Sequence, residues 1–172
     1  MTSPFAIFDL PVPFNVDQAL LSERYLALQK SLHPDNFVTA DAQEQRIAMQ
    51  KSTEVNDALK TLKDPILRAE AIIALNTGKT QDLEQKSTQD VTFLMQQLEW
   101  REELENIEQS QDENALESFA KRVKKETKEM LTALEAQLNE QQWPTAAQFC
   151  DKLRFLKKLA DEISQLEERL FE

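Results

Sequence analysis

This 172-residue chain predicts an all-α fold, on three observations. It holds one glycine and six prolines, too little glycine for the turns of a sheet-rich protein. Its apolar residues recur at steps of three and four rather than two. Prolines fall between those periodic stretches, where helices have to stop. A hydrophobic fraction of 41% is enough for genuine cores, and the length suits one or two domains.

The elements follow in order. Ser3-Pro4 reads as a capping serine with proline at the first helical position. A short helix through Phe5, Ile7 and Phe8 then stops before Pro11 and Pro13. Asn15 or Asp17 caps a second helix whose apolar stripe is Leu21, Tyr25, Leu28 and Leu32. Its other side carries Arg24, Gln29 and Lys30. Pro34 cannot continue this helix, and His33 before it is pushed out of the helical region. Asp41 followed by Glu44 forms a capping box for a third helix, which runs to about Lys63 with Val55, Ala58, Leu59 and Leu62 as its stripe. Asp64-Pro65 breaks it, and a further helix covers Ile66 to Leu75.

Residues 76–88 are the plausible linker, holding the sole glycine, Gly78, among polar residues. Three long helices follow at roughly 90–109, 113–140 and 144–171. One seam is Leu116, Phe119, Val123, Thr127, Met130, Leu134 and Leu138. Another is Phe149, Leu153, Leu156, Ala160, Ile163 and Leu170. These steps fit antiparallel helices joined by short turns, a three-helix bundle over 89–172. The domains expected are therefore 1–75, a linker at 76–88, and the bundle.

Charge and composition narrow the function. The formal net charge is −11, with −3 on residues 1–75 and −8 on 76–172. That argues against nucleic acid or anionic membranes as general partners, because both need a basic footprint. The run Lys121-Arg122-Val123-Lys124-Lys125 reads as a solvated face interrupted by one core residue. A single cysteine, Cys150, excludes an internal disulfide and a cysteine-based metal cluster, and its helical neighbours mark it as a small core residue. No phosphate-binding loop or metal-ligand cluster stands out, so no cofactor and no catalytic residues are expected. The N-terminus lacks a basic region and an apolar run, and no stretch reaches the ~20 apolar residues of a membrane span. A cytoplasmic protein is expected.

The feature that carries chemistry is His33-Pro34-Asp35, between two amphipathic helices and holding the only histidine. Taken alone it is a helix stop, with Asp35 making a local turn bond. In its setting it resembles the J domain. A short lead helix, a helix with basic residues, the tripeptide, a third helix and the run Asn56-Asp57-Ala58-Leu59-x-x-Leu62-x-Asp64-Pro65 all match over about residues 3–75. The resemblance implies that His33, Pro34 and Asp35 engage a DnaK-type chaperone and stimulate its ATP hydrolysis. Arg24 and Lys30 would supply a positive edge for an acidic chaperone surface. Two features depart from the J-domain pattern: Asn36 stands where many J domains have lysine, and the second helix is less basic than usual.

The whole chain resembles the HscB family of iron–sulfur co-chaperones. Phe93-Leu94-Met95-Gln96-Gln97-Leu98-Glu99-Trp100-Arg101-Glu102-Glu103-Leu104 is close to that family's characteristic stretch, as are Leu116-Glu117-Ser118-Phe119 and Lys152-Leu153-Arg154-Phe155-Leu156. The resemblance implies an L-shaped protein, a J-domain helical hairpin plus a C-terminal three-helix bundle. The bundle would bind an IscU-type iron–sulfur scaffold and the J domain would deliver it to an HscA-type, DnaK-family chaperone. Carried over by residue, Leu94, Met95, Leu98, Glu99, Glu102 and Phe155 match the scaffold-docking positions. A further position, acidic in the family, is Asn106 here, with Glu105 beside it.

The residues themselves point to a two-faced helix. At 100° per residue, Phe93, Trp100, Leu104 and Ile107 gather on one side. Val91, Leu94, Met95 and Leu98 gather on the other, with Glu99 and Glu102 at its edge. One face packs into the bundle, and the second needs another partner, internal or external. Phe155 lies off the seam of Leu153, Leu156 and Ala160 and is expected to be exposed. Two other classes remain: a J protein recruiting a different client through the same bundle, and an enzyme using His33 and Asp35 as an acid–base pair. The intervening proline and the scarcity of glycine argue against the enzyme.

Overall fold

The computed structural model describes residues 3–78 and 91–171. Most of the linker expected at 76–88 therefore lies outside the described residues. The chain divides into two compact units, Met1–Lys79 and Thr80–Glu172. All secondary structure among the described residues is helical.

The first unit holds α1 (Pro4–Ile7), α2 (Gln18–Ser31), a 3-10 turn (Pro34–Phe37), α3 (Ala42–Lys63) and α4 (Pro65–Thr77). Each start has a local cause. Ser3 Oγ accepts from Phe5 N at 3.2 Å. Asp17, rather than Asn15, caps α2, its Oδ1 accepting from Ala19 N and Leu20 N, both at 3.1 Å. Asp41 Oδ1 accepts from Glu44 N at 2.7 Å. Asp64 serves two helices: its N–H donates to Lys60 O at the end of α3, and its Oδ1 accepts from Ile66 N and Leu67 N at the start of α4.

The central helix is α3, against which α1, α2, the 3-10 turn and α4 all pack. Phe5, Phe8, Leu21 and Leu62 are fully buried, joined by Phe14, Val55, Ala58, Ala69, Ile72 and Ile73. Tyr25 Oη donates to Asn56 Oδ1 at 2.9 Å and ties α2 to α3. Arg68 is the one buried charged residue among those described. Its Nη1 donates to Leu62 O at 2.7 Å, and its guanidinium lies 4.8 Å from the Phe14 ring centre. Burial lowers its pKa below the usual arginine value, and the Asp64 carboxylate partly offsets this.

The second unit holds α5 (Val91–Ser110), α6 (Glu113–Asn139) and α7 (Trp143–Phe171). Helices α6 and α7 pair along their length, and α5 packs on both. One cluster joins Leu104 and Ile107 to Leu116, Phe119, Val123, Leu156, Leu159, Ile163 and Leu166. Cys150 is fully buried, as its neighbours predicted. The α7 seam differs from the sequence reading at Ala160 and at its two ends, where Phe149 and Leu170 are half-buried and Leu166 is buried. Leu159 is wholly buried and Ala160 is exposed, so the stripe runs Leu153, Leu156, Leu159, Ile163 and Leu166. Thr127, Met130 and Phe149 are only half-buried.

The tight turns dispense with glycine. Asp9, Gln111 and Gln141 take positive φ (52°, 53° and 59°) where the chain leaves a helix, a conformation more commonly assigned to glycine or asparagine. Gly78 takes this role, at φ 71°, only at the end of α4. Among the described residues no helix is long and apolar enough to cross a membrane.

Candidate functional site

Two groups of residues stand out, one on each unit. The first is the turn after α2. His33 has extended backbone (φ −59°, ψ 138°), as the proline after it requires. Pro34 opens the 3-10 turn, where its fixed φ fits and its missing N–H costs nothing. His33 Nδ1 accepts from Asp35 N at 3.1 Å, and His33 O accepts from Asn36 N at 2.9 Å. A nitrogen accepting from a backbone amide carries no proton, so the ring's proton sits on Nε2. Nδ1 also lies 3.5 Å from Asp35 Oδ2. This is an ion pair only when the ring is protonated. His33, Pro34 and Asp35 are all exposed.

Lys30, one turn before His33, is exposed as well. Arg24 is half-buried, and its Nη1 donates to Phe8 O at 2.9 Å and to Asp9 O. Its guanidinium therefore fastens the end of α1 to α2, a role the sequence did not reveal.

The second group lies on α5. Phe93, Leu104 and Ile107 are buried and Trp100 is half-buried against the bundle core, as the spacing predicted. On the opposite side Val91, Met95 (58% exposed) and Leu98 (70%) face outward. Leu94, between the faces, is half-buried. Glu99, Glu102, Glu105 and Asn106 are exposed.

Charge follows the same division. Acids on the bundle side are paired: Glu103 with Arg122 and Glu108 with Arg169. Arg101 pairs with Glu162 at 2.6 Å. Neither Glu99 nor Glu102 meets a cation among the described residues. The outward face thus combines apolar side chains with unneutralised carboxylates, a surface suited to a protein with apolar and basic groups.

Phe155 corrects the sequence reading. It is half-buried rather than exposed, and it packs on the bundle core. Its ring meets Phe93 edge-on at 6.1 Å, and Arg101 lies 5.5 Å from its centre. An aromatic ring is long enough to reach back across the groove from an off-seam Cβ. A concavity of about 500 Å³ lies elsewhere in the unit, between α6 and α7 along Ala120, Thr127, Leu131, Ala160 and Ser164.

Comparison with known proteins decides the family. The Haemophilus influenzae protein named "Co-chaperone protein HscB homolog" is 68% identical over 172 residues, covering 100% of this chain and 99% of that one. The chain belongs to the HscB co-chaperone family. A family model described as "HSCB C-terminal oligomerisation domain" matches residues 89–164. The structure of chaperone HscB from Vibrio cholerae superposes with a TM-score of 0.88 at 39% identity, covering 99% of this chain and 100% of that one. The human co-chaperone HscB gives 0.86 at 27% identity, over 96% and 82%. The resemblance to HscB read from the sequence is borne out, as is the all-α fold, a J domain followed by a helical bundle. Among the described residues, the exposed turn at His33 and the outward face of α5 are two surfaces that leave polar or apolar groups uncovered; Leu26, Val38 and Met49 of the first unit are exposed as well.

Proposed function

We propose that this HscB-family co-chaperone binds an IscU-type iron–sulfur scaffold and delivers it, in the cytoplasm, to an HscA-type chaperone of the DnaK family. The J domain runs to the end of α4 at Thr77, two residues beyond the bound of 75 expected from the sequence; the linker follows it to 88, and 89–172 is the scaffold-binding bundle. The observation that carries this reading is the outward face of α5. Met95 and Leu98 are largely exposed beside Glu99 and Glu102, while the opposite face of the same helix is spent on the core. Covering an exposed Leu or Met side chain contributes about 1–2 kcal/mol at ~25 cal/mol per Å². Leu94 is half-buried at the margin of this patch, and Phe155 packs behind it on Phe93 and the bundle core. Met95 adapts to an irregular partner surface. Glu99 and Glu102 select basic groups and speed encounter more than they add affinity.

On the other unit, His33 Nε2–H and the Asp35 carboxylate reach solvent from a turn held by Pro34. They offer one donor and one anionic acceptor to the chaperone, with Lys30 and the remaining donors of Arg24 alongside. The chaperone supplies the ATPase chemistry, and this chain supplies contacts that favour its hydrolytic state. No catalytic step runs on this chain itself.

Isothermal titration with an IscU-type scaffold tests the proposal. Leu94→Ala combined with Leu98→Ala should weaken binding by roughly tenfold or more, the equivalent of about 1.4 kcal/mol. Unchanged affinity in that double variant would sink the docking assignment.

A further inference from the structure

The residue after the exposed tripeptide is asparagine, and the structure gives its side chain a specific task. Asn36 Nδ2 donates to Lys30 O at 2.7 Å and to Ser31 O at 3.2 Å, while Asn36 N donates to His33 O at 2.9 Å. The last carbonyls of a helix have no intrahelical donor, and Lys30 and Ser31 are the final two residues of α2. One side chain thus reaches back over His33, Pro34 and Asp35 and closes the turn onto the helix that carries it. Within the closed turn, where His33 N also donates to Lys30 O at 3.4 Å, Asp35 N donates to His33 Nδ1, a bond that in the neutral ring leaves the proton on Nε2.

We infer that Asn36 is a positioning residue for the trigger: its side-chain amide clamps the turn to the end of α2 and sets the tautomer and direction of His33. The inference rests on the proposed chaperone role and concerns how the tripeptide is presented. It assigns Asn36 no contact with the partner. A lysine at this position can do the same work, because an ammonium donates to helix C-terminal carbonyls and is favoured by the helix dipole. An aspartate cannot, since it donates nothing and its charge opposes those carbonyls.

The test compares the full chain with Asn36→Ala, Asn36→Asp and Asn36→Lys in two measurements. The first is stimulation of an HscA-type ATPase, taken as maximal rate over half-saturating concentration. The alanine variant should fall roughly fivefold, the fold-change that losing one ordinary helix-end hydrogen-bonding group produces. The aspartate variant should fall further, and the lysine variant should stay within about twofold of the parent. The second is the nitrogen NMR signature of His33 in the protein alone, above the pH range where histidine titrates. The parent and Asn36→Lys should show an unprotonated Nδ1 and a protonated Nε2, and the alanine and aspartate variants a mixture of tautomers. Parent-like nitrogen signals in both Asn36→Ala and Asn36→Asp overturn the inference, whatever the ATPase does. If the parent itself fails to stimulate the chaperone, the proposed chaperone role falls, while the nitrogen spectra still decide the positioning role.

Discussion

The ring of Phe93 meets the ring of Phe155 nearly at right angles, with centroids 6.1 Å apart. Phe93 belongs to the buried face of α5 and Phe155 to α7, so this contact fastens the helix that carries the outward patch to the bundle behind it. A T-shaped pair adds about 0.5–1.5 kcal/mol beyond its burial. Phe155 thus ties α5 to α7.

Phe155→Ala should therefore lower stability as well as scaffold affinity. The ring is half-buried, so the loss should be about 2 kcal/mol, below the 3–5 kcal/mol of a fully buried phenylalanine. Urea unfolding measures it. An unfolding midpoint equal to the parent's contradicts the packing role.

Met95→Ala with Leu98→Ala should separate binding from folding. Both side chains are mostly exposed, so each substitution should change stability by less than about 0.5 kcal/mol. Scaffold affinity measured by titration should drop all the same. A large fall in thermal midpoint places these residues inside the unit rather than on a docking face.

His33→Gln should abolish stimulation of the chaperone ATPase and leave the helical circular dichroism unchanged. The side chain is exposed and its one described amide contact lies within the turn. Retained stimulation removes His33 from the trigger.

Leu159→Ala should cost about 2–5 kcal/mol, because the side chain is wholly buried in the bundle cluster. Ala160→Gln, one residue on and exposed, should cost less than about 0.5 kcal/mol. Denaturant midpoints of the two variants compare them, and the reverse order contradicts the observed seam.

That last pair marks where sequence reasoning reached its limit. From Leu156 a helical stripe can continue at 159 or 160, since steps of three and four are both allowed; which one faces the core depends on the crossing of α5 and α6, which periodicity does not contain. The caps at Ser3 and Asp41, the pair Asn15 or Asp17 before α2 and the break at Asp64-Pro65 were legible because caps and breakers act over three or four residues; that Asp64 also caps α4 was not read. The two faces of α5, a property of one helix, were legible too, except at Leu94, which was expected on the outward face and is half-buried between the two. Phe155 was misread because a long ring can leave the direction of its own Cβ. The bonds from Arg24 to the end of α1 and from Asn36 to the end of α2 have no periodic signature, since each joins a side chain to a carbonyl across a turn.

Asp64 has a kinetic consequence. Its backbone closes the last turn of α3 and its carboxylate holds the first turn of α4. One residue thus supplies bonds to both turns, so losing it loosens both at once. Amide protons on both sides of Asp64 should therefore exchange with solvent deuterium as a single cooperative group, not as two independently fraying ends.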